Sequence, residues 1–269
     1  AMLLPGDERL YRILEKQKKE YTLTICGRDG KDQTYQIGSL IELIWGIENP
    51  AAIINKIADK NIHIITLTIT EGGYNIAKAT NEFMLDNENI KYDLAHPQSP
   101  KTTFGFVAEG LRKRKAVGNG PITILSCDNL QHNGNTARKA FLSFFQAQDP
   151  ELAEWATVNI TFPNSMVDRI TPSTQPEDII RLNTQNGTQD GAPVYCEDFI
   201  QWVVEDKFIA GRPAWEKVGV EFTQDVTTYE NMKLSLLNAS HTLLSYPAFL
   251  SGYRKVDVAI SDERIKKFV

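Results

Sequence analysis

Segments that are apolar on both faces alternate with amphipathic segments along the first part of the chain. The stretches IHIITLTIT (62–70) and ITILS (Ile122–Ser126) have the composition of strands in a parallel sheet covered on both sides. A shorter strand is expected at Tyr21–Cys26. Periodicity and capping residues predict helices over 7–19, Pro50–Ala58, 101–115 and 135–146, and a further one starting at 149. This alternation predicts an α/β fold with a partial Rossmann-like, doubly wound sheet.

The pattern changes after about residue 161. Irregular and strand-like segments run to Phe222, a long helix is expected over 227–246, and another near 262–268. We therefore predict a sheet domain over residues 1–222 that leads into an α-helical C-terminal domain beginning at residues 223–269.

Composition narrows the class of protein. The net charge of −5 offers no general basic field for nucleic acid, and the apolar runs are too short for a membrane span. Three scattered cysteines are typical of a reduced, cytoplasmic protein. The four histidines lack the spacing of a zinc site, so no metal is expected.

A glycine-rich dinucleotide turn, G-x-G-x-x-G, is absent from the sequence. Two explanations stay open at this point. Either the protein does not use a dinucleotide, or the first βαβ unit of its sheet is not in the chain.

Lys233, Asn238 and His241 stand out in the segment YENMKLSLLNASHTLLSY (229–246). On an α-helix Asn238 would lie about 140° from Lys233, and His241 about 80° from it, so the three share one broad arc. The other face is expected to pack through leucines at 236, 237, 243 and 244. A solvated polar stripe is the alternative, but burying these groups would be costly without a purpose.

Polar residues also follow the two predicted buried strands. Asn129 comes after Ile122–Ser126, and Thr70 and Glu71 end the 62–70 segment. Ligands of open α/β sheets bind at the carboxyl ends of strands, so these side chains are candidates for one crevice. Simple strand-terminating turns would explain them equally well.

The helix pattern K-x-x-x-x-N-x-x-H resembles that of the mannitol dehydrogenase family, the polyol-specific long-chain dehydrogenases and uronate reductases. Further matching segments follow in the family's order and cover nearly the whole chain: TITEGGY (68–74), DLAHPQSPKTTFGF (93–106), SCDNLQHNG (126–134), FPNSMVDRITP (162–172), EDKF and GRPAWEKVGV within 197–220. Compared with the family, the chain lacks the N-terminal glycine-rich unit, most of the helical domain and a C-terminal substrate arginine. The resemblance implies NAD binding by residues 1–222 and substrate binding by the helical part.

The resemblance also implies roles for individual residues. Lys233 would be the catalytic acid/base, which requires desolvation to lower the pKa of an amine from about 10.4. Asn129 and Asn238 would hold the reacting oxygen, and His241 would orient the substrate hydroxyls. The other matched substrate contacts are Val167 and Asp168.

Asp7 matches the acid that binds the adenosine ribose, which favours NAD over NADP, although the neighbouring Gly6 softens this preference. Thr70, Glu71 and Asn129 complete the implied cofactor site. Glu71 and Glu230 match positions near the family's proton path. For Glu230 the first interpretation is a helix cap, because Thr227-x-x-Glu230 has the form of a capping box, and a place on the proton path is the second.

The expected function is NAD-dependent interconversion of D-mannitol and D-fructose, favoured by EDKF and GRPAWEKVGV. Alternatives are a fructuronate or tagaturonate reductase and a truncated, non-catalytic member of the family. The expected partner is a small polyol or ketose, and the expected assembly is a monomer with at most weak self-association.

Overall fold

The computed structural model describes the backbone of residues 2–4 and the whole of residues 8–269. The predicted ribose-binding Asp7 lies outside the described residues. The elements are, in chain order, β1 (Met2–Leu4), α1 (Glu8–Lys16), β2 (Tyr21–Cys26), β3 (Gln33–Ile37), β4 (Leu43–Trp45), α2 (Pro50–Ala58), β5 (Ile64–Leu67), α3 (Thr70–Gly73), α4 (Glu88–Ala95), α5 (Thr103–Ala116), β6 (Ile122–Ser126), α6 (Asn133–Gln148), α7 (Pro150–Asn159), β7 (Ile160–Thr161), β8 (Ser165–Asp168), α8 (Pro176–Asn186), β9 (Val194–Glu197), β10 (Gln201–Glu205), a 3-10 turn (Trp215–Val218), β11 (Glu221–Thr223), α9 (Thr227–Met232), a π-helical turn (Lys233–Asn238), α10 (Ala239–Leu250), α11 (Val256–Ala259) and α12 (Glu263–Phe268).

Strands β5, β6 and β7 form a parallel sheet in that order, and β1 pairs with β4 in parallel. All five residues of β6 are buried, as its unbroken apolar run predicted. Strand β5 is shorter than the predicted 62–70 segment, and only Leu67 in it is buried. Its position at the end of the strand order explains this exposure. The main core lies between these strands and helices α2, α4, α5, α6 and α7.

Two further sheets mix strand directions. Strand β2 pairs with β3 in an antiparallel hairpin and with β9 in parallel, while β10 pairs antiparallel with β8 and parallel with β11. The antiparallel pairing of β10 with β8 sets Gln201 opposite Asp168 and Trp202 opposite Val167. Residues 161–222, expected to be irregular and strand-like, therefore hold defined strands and also a helix, α8.

Helices α2 and α5 approach closely at Gly110. A Cβ atom at this position would lie 2.5 Å from both Cβ and Cγ2 of Ile57. Ile57 is 2% exposed and belongs to the core. Glycine at position 110 thus allows the two helices to pack at a distance that a larger residue would prevent.

The C-terminal helices form a small core of their own around Leu244, Ala248, Ala259 and Ile265. The predicted helix over 227–246 is longer than expected, reaching Leu250, and its middle is a π-helical turn. The expectation that all four leucines pack away from the polar arc was wrong for three of them, since only Leu244 is buried in this core. Leu236 and Leu243 are exposed, and Leu237 borders the cavity described below.

We expect Gly110→Ala to lower the free energy of unfolding by about 1–3 kcal/mol, because the added methyl group overlaps Ile57. Urea unfolding followed by circular dichroism measures this. Gly120→Ala is the matched control, since a Cβ there meets no heavy atom within 4 Å. Equal stabilities of the two variants would contradict the packing argument.

Candidate active site

The candidate site lies where two strand ends face the C-terminal helical run. Strand β6 ends at Ser126 and leads directly to Asp128 and Asn129, while β8 ends at Asp168. The π-helical turn that begins at Lys233 packs against both ends. The site is therefore shared between the sheet domain and the helical segment.

Asp128 fixes the loop that follows β5. Its carboxylate accepts hydrogen bonds from the backbone N–H of Thr70 (2.8 Å) and of Ile69 (3.1 Å), and from the hydroxyl of Tyr74 (2.6 Å). Burial, followed by the bond to Asp128, raises the pKa of Tyr74 well above its usual range. Tyr74 thus remains a neutral donor that holds Asp128 in place.

Asn133 ties β6 to β8. Its Nδ2 atom lies within hydrogen-bond distance of the carbonyl oxygens of Ser126, Asp128 and Ser165, and its Oδ1 accepts from the N–H of Ser165 at 2.9 Å. The side chain of Asn133 is fully buried. Because these bonds are satisfied inside the protein, Asn129, which follows β6, and Val167, which lies within β8, have well-defined positions.

Lys233 bridges the two domains. Its Nζ donates to Oδ1 of Asn129 at 2.9 Å and to the carbonyl oxygen of Val167 at 2.7 Å. A carboxylate oxygen of Asp168 lies 3.6 Å from the same nitrogen, and both side chains are 11% exposed. The amine is thus largely removed from water and held on the sheet side of the site.

The contacts of Lys233 can be compared with the donors of its side chain. An uncharged –NH₂ group would have two N–H donors, for which Asn129 and Val167 provide two acceptors. An –NH₃⁺ group would have a third donor, for which the Asp168 carboxylate at 3.6 Å is a counter-ion. Because Asn129 presents its oxygen to Lys233, its –NH₂ group remains a donor for a ligand oxygen.

The π-helical turn changes the arrangement expected from the sequence. An α-helix would separate Lys233 and Asn238 by about 140°, but the π turn spans these two residues and links positions five apart in the chain. It therefore brings the side chains of Lys233 and Asn238 towards the same face. Such turns are rare and are found frequently at functional sites.

A cavity of about 430 Å³ opens beside Lys233. This volume is in the usual range for small-molecule sites. Its lining contains six of the predicted site residues: Asn129, Val167, Asp168, Lys233, Asn238 and His241. His241 is exposed at its mouth. The structure thus brings the predicted catalytic and substrate residues around one space.

A smaller cavity of about 90 Å³ adjoins the first and shares Asn129, Lys233 and Asn238 with it. Glu230 lines this second cavity and is 4% exposed. The capping-box interpretation of Glu230 was wrong. Helix α9 has no side-chain cap, and the Glu230 carboxylate instead accepts from the N–H of His132 at 2.9 Å.

Thr70 and Glu71 lie apart from the two cavities. Glu71 is exposed and forms an ion pair with Lys78 at 3.1 Å, and neither Thr70 nor Glu71 is among the described residues lining those cavities. Thr70 adopts a left-handed backbone (φ +66°), and a Cβ on Gly72 would meet open space. This exposed edge adjoins Asp128, whose carboxylate accepts the backbone N–H of Thr70.

Several residues of the large cavity were missed in the sequence. They come from the end of β8, from the antiparallel strand β10 and from the π turn: Arg169, Ile170, Ile200, Gln201, Trp202 and Leu237. Arg169 could have been noticed, because it directly follows Asp168. The β10 residues could not, since only the long-range pairing with β8 places them there.

The thiol of Cys127, which follows β6, is unsuited to nucleophilic chemistry. Burial, and then the charge of Asp128, raises the pKa of the Cys127 thiol to about 12, so it stays protonated near neutral pH. Within residues 8–269, no group of three or more His, Cys, Asp or Glu is arranged to hold a metal ion.

No helix in the described part of the chain is long and apolar enough to cross a membrane.

Comparison with known proteins gives consistent matches. Residues 7–217 match the family model described as "Mannitol dehydrogenase Rossmann domain", and residues 225–269 match "Mannitol dehydrogenase C-terminal domain". The chain is 45% identical to a polyol:NADP oxidoreductase of Gluconobacter oxydans, covering 98% of this chain and 55% of the relative. It is 40% identical to a D-mannonate oxidoreductase of Escherichia coli, with the same coverage.

The fold agrees with a solved structure of the Pseudomonas fluorescens mannitol 2-dehydrogenase in ternary complex with NAD and D-mannitol. The TM-score is 0.90 and the identity 45%, covering 98% of this chain and 54% of that one. The chain spans about half the length of the curated relatives it matches. With both of its predicted parts matched in order, a Rossmann domain followed by a helical one, the chain belongs to the mannitol dehydrogenase family.

Proposed function

We propose that the protein is an NAD-dependent dehydrogenase that interconverts D-mannitol and D-fructose, with Lys233 as general acid/base. The observation that carries this proposal is the placement of the Lys233 amine against Asn129 and Val167, beside a cavity of about 430 Å³. The mannitol 2-dehydrogenase with bound NAD and D-mannitol, which is similar over 98% of this chain, supports the choice of cofactor and substrate.

Lys233 would act through the lone pair left free by its two hydrogen bonds. In the oxidation direction the amine takes the hydroxyl proton of the substrate, and in the reduction direction the ammonium returns it. The –NH₂ group of Asn129 and the amide of Asn238 border the same cavity and would donate to the reacting oxygen. Donors placed in this way stabilise a developing oxyanion by roughly 3 kcal/mol each.

The remaining predicted residues would orient the sugar chain. The Asp168 carboxylate and the backbone of Val167 border the cavity on the sheet side, and His241 borders it on the helical side. Hydroxyl groups of a polyol can donate to the carboxylate and exchange hydrogen bonds with the imidazole. Contacts from both domains would thereby fix one carbinol next to Lys233.

The cofactor would accept the hydride that leaves the carbinol carbon. Thr70, Glu71 and Asn129 are the residues proposed to hold it, at the exposed edge described above, with Asp7 on the adenosine ribose. The relative from Gluconobacter oxydans is a polyol:NADP oxidoreductase, so NADP is the alternative cofactor. Of the proposed proton-path residues, Glu230 has support from its cavity shared with Lys233, whereas Glu71 pairs with Lys78.

Reduction of a uronate, such as fructuronate or tagaturonate, is the second candidate. Arg169 favours it, because this cation lines the cavity and its Nε is bound to a neutral partner, the carbonyl oxygen of Glu197, at 3.2 Å. A guanidinium group binds carboxylates well. Comparing kcat/KM for D-fructose and for the two uronates separates the candidates: a preference for D-fructose supports the first, and a preference for a uronate supports the second.

We predict that Lys233→Ala lowers kcat for mannitol oxidation by at least 100-fold, since general acid–base catalysis contributes roughly 10²–10⁴-fold. The measurement is cofactor reduction by the chain together with any flanking residues that its gene encodes. Lys139→Ala, which removes an exposed lysine on α6, is the control. Turnover that survives Lys233→Ala would exclude this lysine from the mechanism.

Cofactor binding tests the alternative of a non-catalytic family member. We expect isothermal titration with NADH to give a dissociation constant in the micromolar range, roughly 1–100 μM, as is usual for such enzymes. Titration with NADPH under the same conditions measures the cofactor preference. Absence of heat at millimolar NADH and NADPH would favour the non-catalytic alternative.

A further inference from the structure

Gln201, the first residue of β10, lines the cavity of about 430 Å³ beside Lys233. The residue is half-buried, and its Nε2 donates to Oε1 of Glu221 at 2.8 Å. A carboxylate only accepts hydrogen bonds, so the nitrogen of the amide, and not its oxygen, must face Glu221. This contact therefore fixes which way the Gln201 amide is turned.

The amide oxygen of Gln201 is left as a free acceptor. No residue that the structure describes donates a hydrogen bond to its Oε1. Glu221 is exposed and is not among the described residues that line the cavity. With Nε2 directed to Glu221 outside the lining, Oε1 is the amide atom that remains for a ligand in the cavity.

The pairing of β8 with β10 sets Gln201 beside Asp168. The two residues lie directly opposite each other in the antiparallel register, so their side chains share one face of the sheet, with Cβ atoms about 4.5–5.5 Å apart. Asp168 lines the same cavity, and its carboxylate is 3.6 Å from Nζ of Lys233. Lys233, Asp168 and Gln201 thus follow one another along the cavity.

This face of the sheet is turned towards the helical segment. Met166, two residues before Asp168, and Val203, two residues after Gln201, pack together and against Tyr229 of α9. Side chains two residues apart on a strand lie on the same face. Asp168 and Gln201 therefore project into the space between the sheet domain and the helical segment, where Lys233 lies.

We propose that Gln201 determines substrate specificity by accepting, through its amide oxygen, a hydroxyl group of the substrate further along the chain than the one bound by Asp168. The proposal rests on the dehydrogenase function proposed above. Lys233 meets the reacting carbinol, Asp168 accepts a hydroxyl on a carbon near it, and Gln201 accepts the next. Both groups are acceptors, so this part of the cavity selects hydroxyl donors, and the ligand class is a polyol or ketose with hydroxyls on at least two carbons besides the reacting one.

Glu221 is a positioning residue in this arrangement, because it reaches the substrate only through Gln201. We expect Glu221→Ala to raise KM for D-fructose by less than the loss of the Gln201 amide does, since the amide can then rotate. Glu221→Gln again provides an oxygen that accepts from Nε2 of Gln201, and we expect it to restore most of the lost affinity.

Gln201→Met tests the proposal, because methionine keeps the length of the side chain and removes the amide oxygen. We expect KM for D-fructose to rise about three- to tenfold, as for the loss of one hydrogen bond between uncharged groups. A hydroxyl remote from the reacting carbon is bound equally in the ground state and the transition state, so kcat remains nearly unchanged. Initial rates of cofactor oxidation at varied D-fructose measure both constants.

Monodeoxy-D-fructoses that lack the hydroxyl at carbon 1, 3, 4, 5 or 6 identify the group that Gln201 binds. For each ketose, kcat/KM of the unmodified protein is divided by that of Gln201→Met, which cancels the fraction of the ketose in its open-chain form. We expect this ratio to fall to about 1 for one of the analogues, because the hydroxyl and its acceptor are lost together. For the other analogues we expect the ratio found with D-fructose.

Gln36→Met is the matched control. Gln36 is an exposed glutamine on β3 that borders neither cavity, and its Nε2 also donates to a glutamate, Oε2 of Glu20, at 3.0 Å. A KM in Gln201→Met equal to that in Gln36→Met, or one ratio common to all the deoxy ketoses, would overturn the role of Gln201 alone. Failure of the unmodified protein to reduce D-fructose would overturn the proposed dehydrogenase function, and the role of Gln201 with it.

Discussion

The hydrogen bonds from Lys233 to Asn129 and Val167 join the two parts of the molecule. Both acceptors belong to the sheet domain, and the donor belongs to the helical segment. A largely buried amine needs partners, because an unpaired polar group inside a protein costs roughly 1–3 kcal/mol. The contact therefore holds the Lys233 amine against residues of the sheet domain. Lys233 and Asn129 line both cavities, so both spaces border this contact.

Local signals predicted much of the fold. Helix α2 begins and ends where Pro50 and the following apolar periodicity indicated, and β6 matches the apolar run without error. Helix α8 was missed although its signals were present: Pro176 at the first turn, a capping box of Gln175 and Asp178, and the left-handed Gly187 at its end. What the sequence could not supply is strand pairing across long separations, such as that of β8 with β10.

In the candidate site, too, local sequence signals predicted some features, and contacts between distant residues decided the others. The rule that ligands bind at carboxyl strand ends selected Asn129 from the sequence, and the structure has this residue against Lys233. The angle between Lys233 and Asn238 was wrong because α-helical geometry was assumed for a π-helical turn. Glu230 was misread because a capping box is a local pattern, whereas its partner lies 98 residues away in the chain. Tertiary contacts decided each of these cases.

The π turn also has a consequence for how the C-terminal segment is compared with other sequences. Residues before it, such as Tyr229, pack against Met166 and Val203 of the sheet, and residues after it, such as Leu244 and Ala248, face a separate small core. The π turn has more residues per turn than an α-helix, so it rotates the packed face of α10 relative to that of α9. One helical periodicity therefore cannot describe all of residues 227–250. A helical wheel drawn from residue 227 to 250 would assign one half to the wrong surface. The packed faces of α9 and α10 are therefore better assigned separately, although the two helices belong to one continuous backbone.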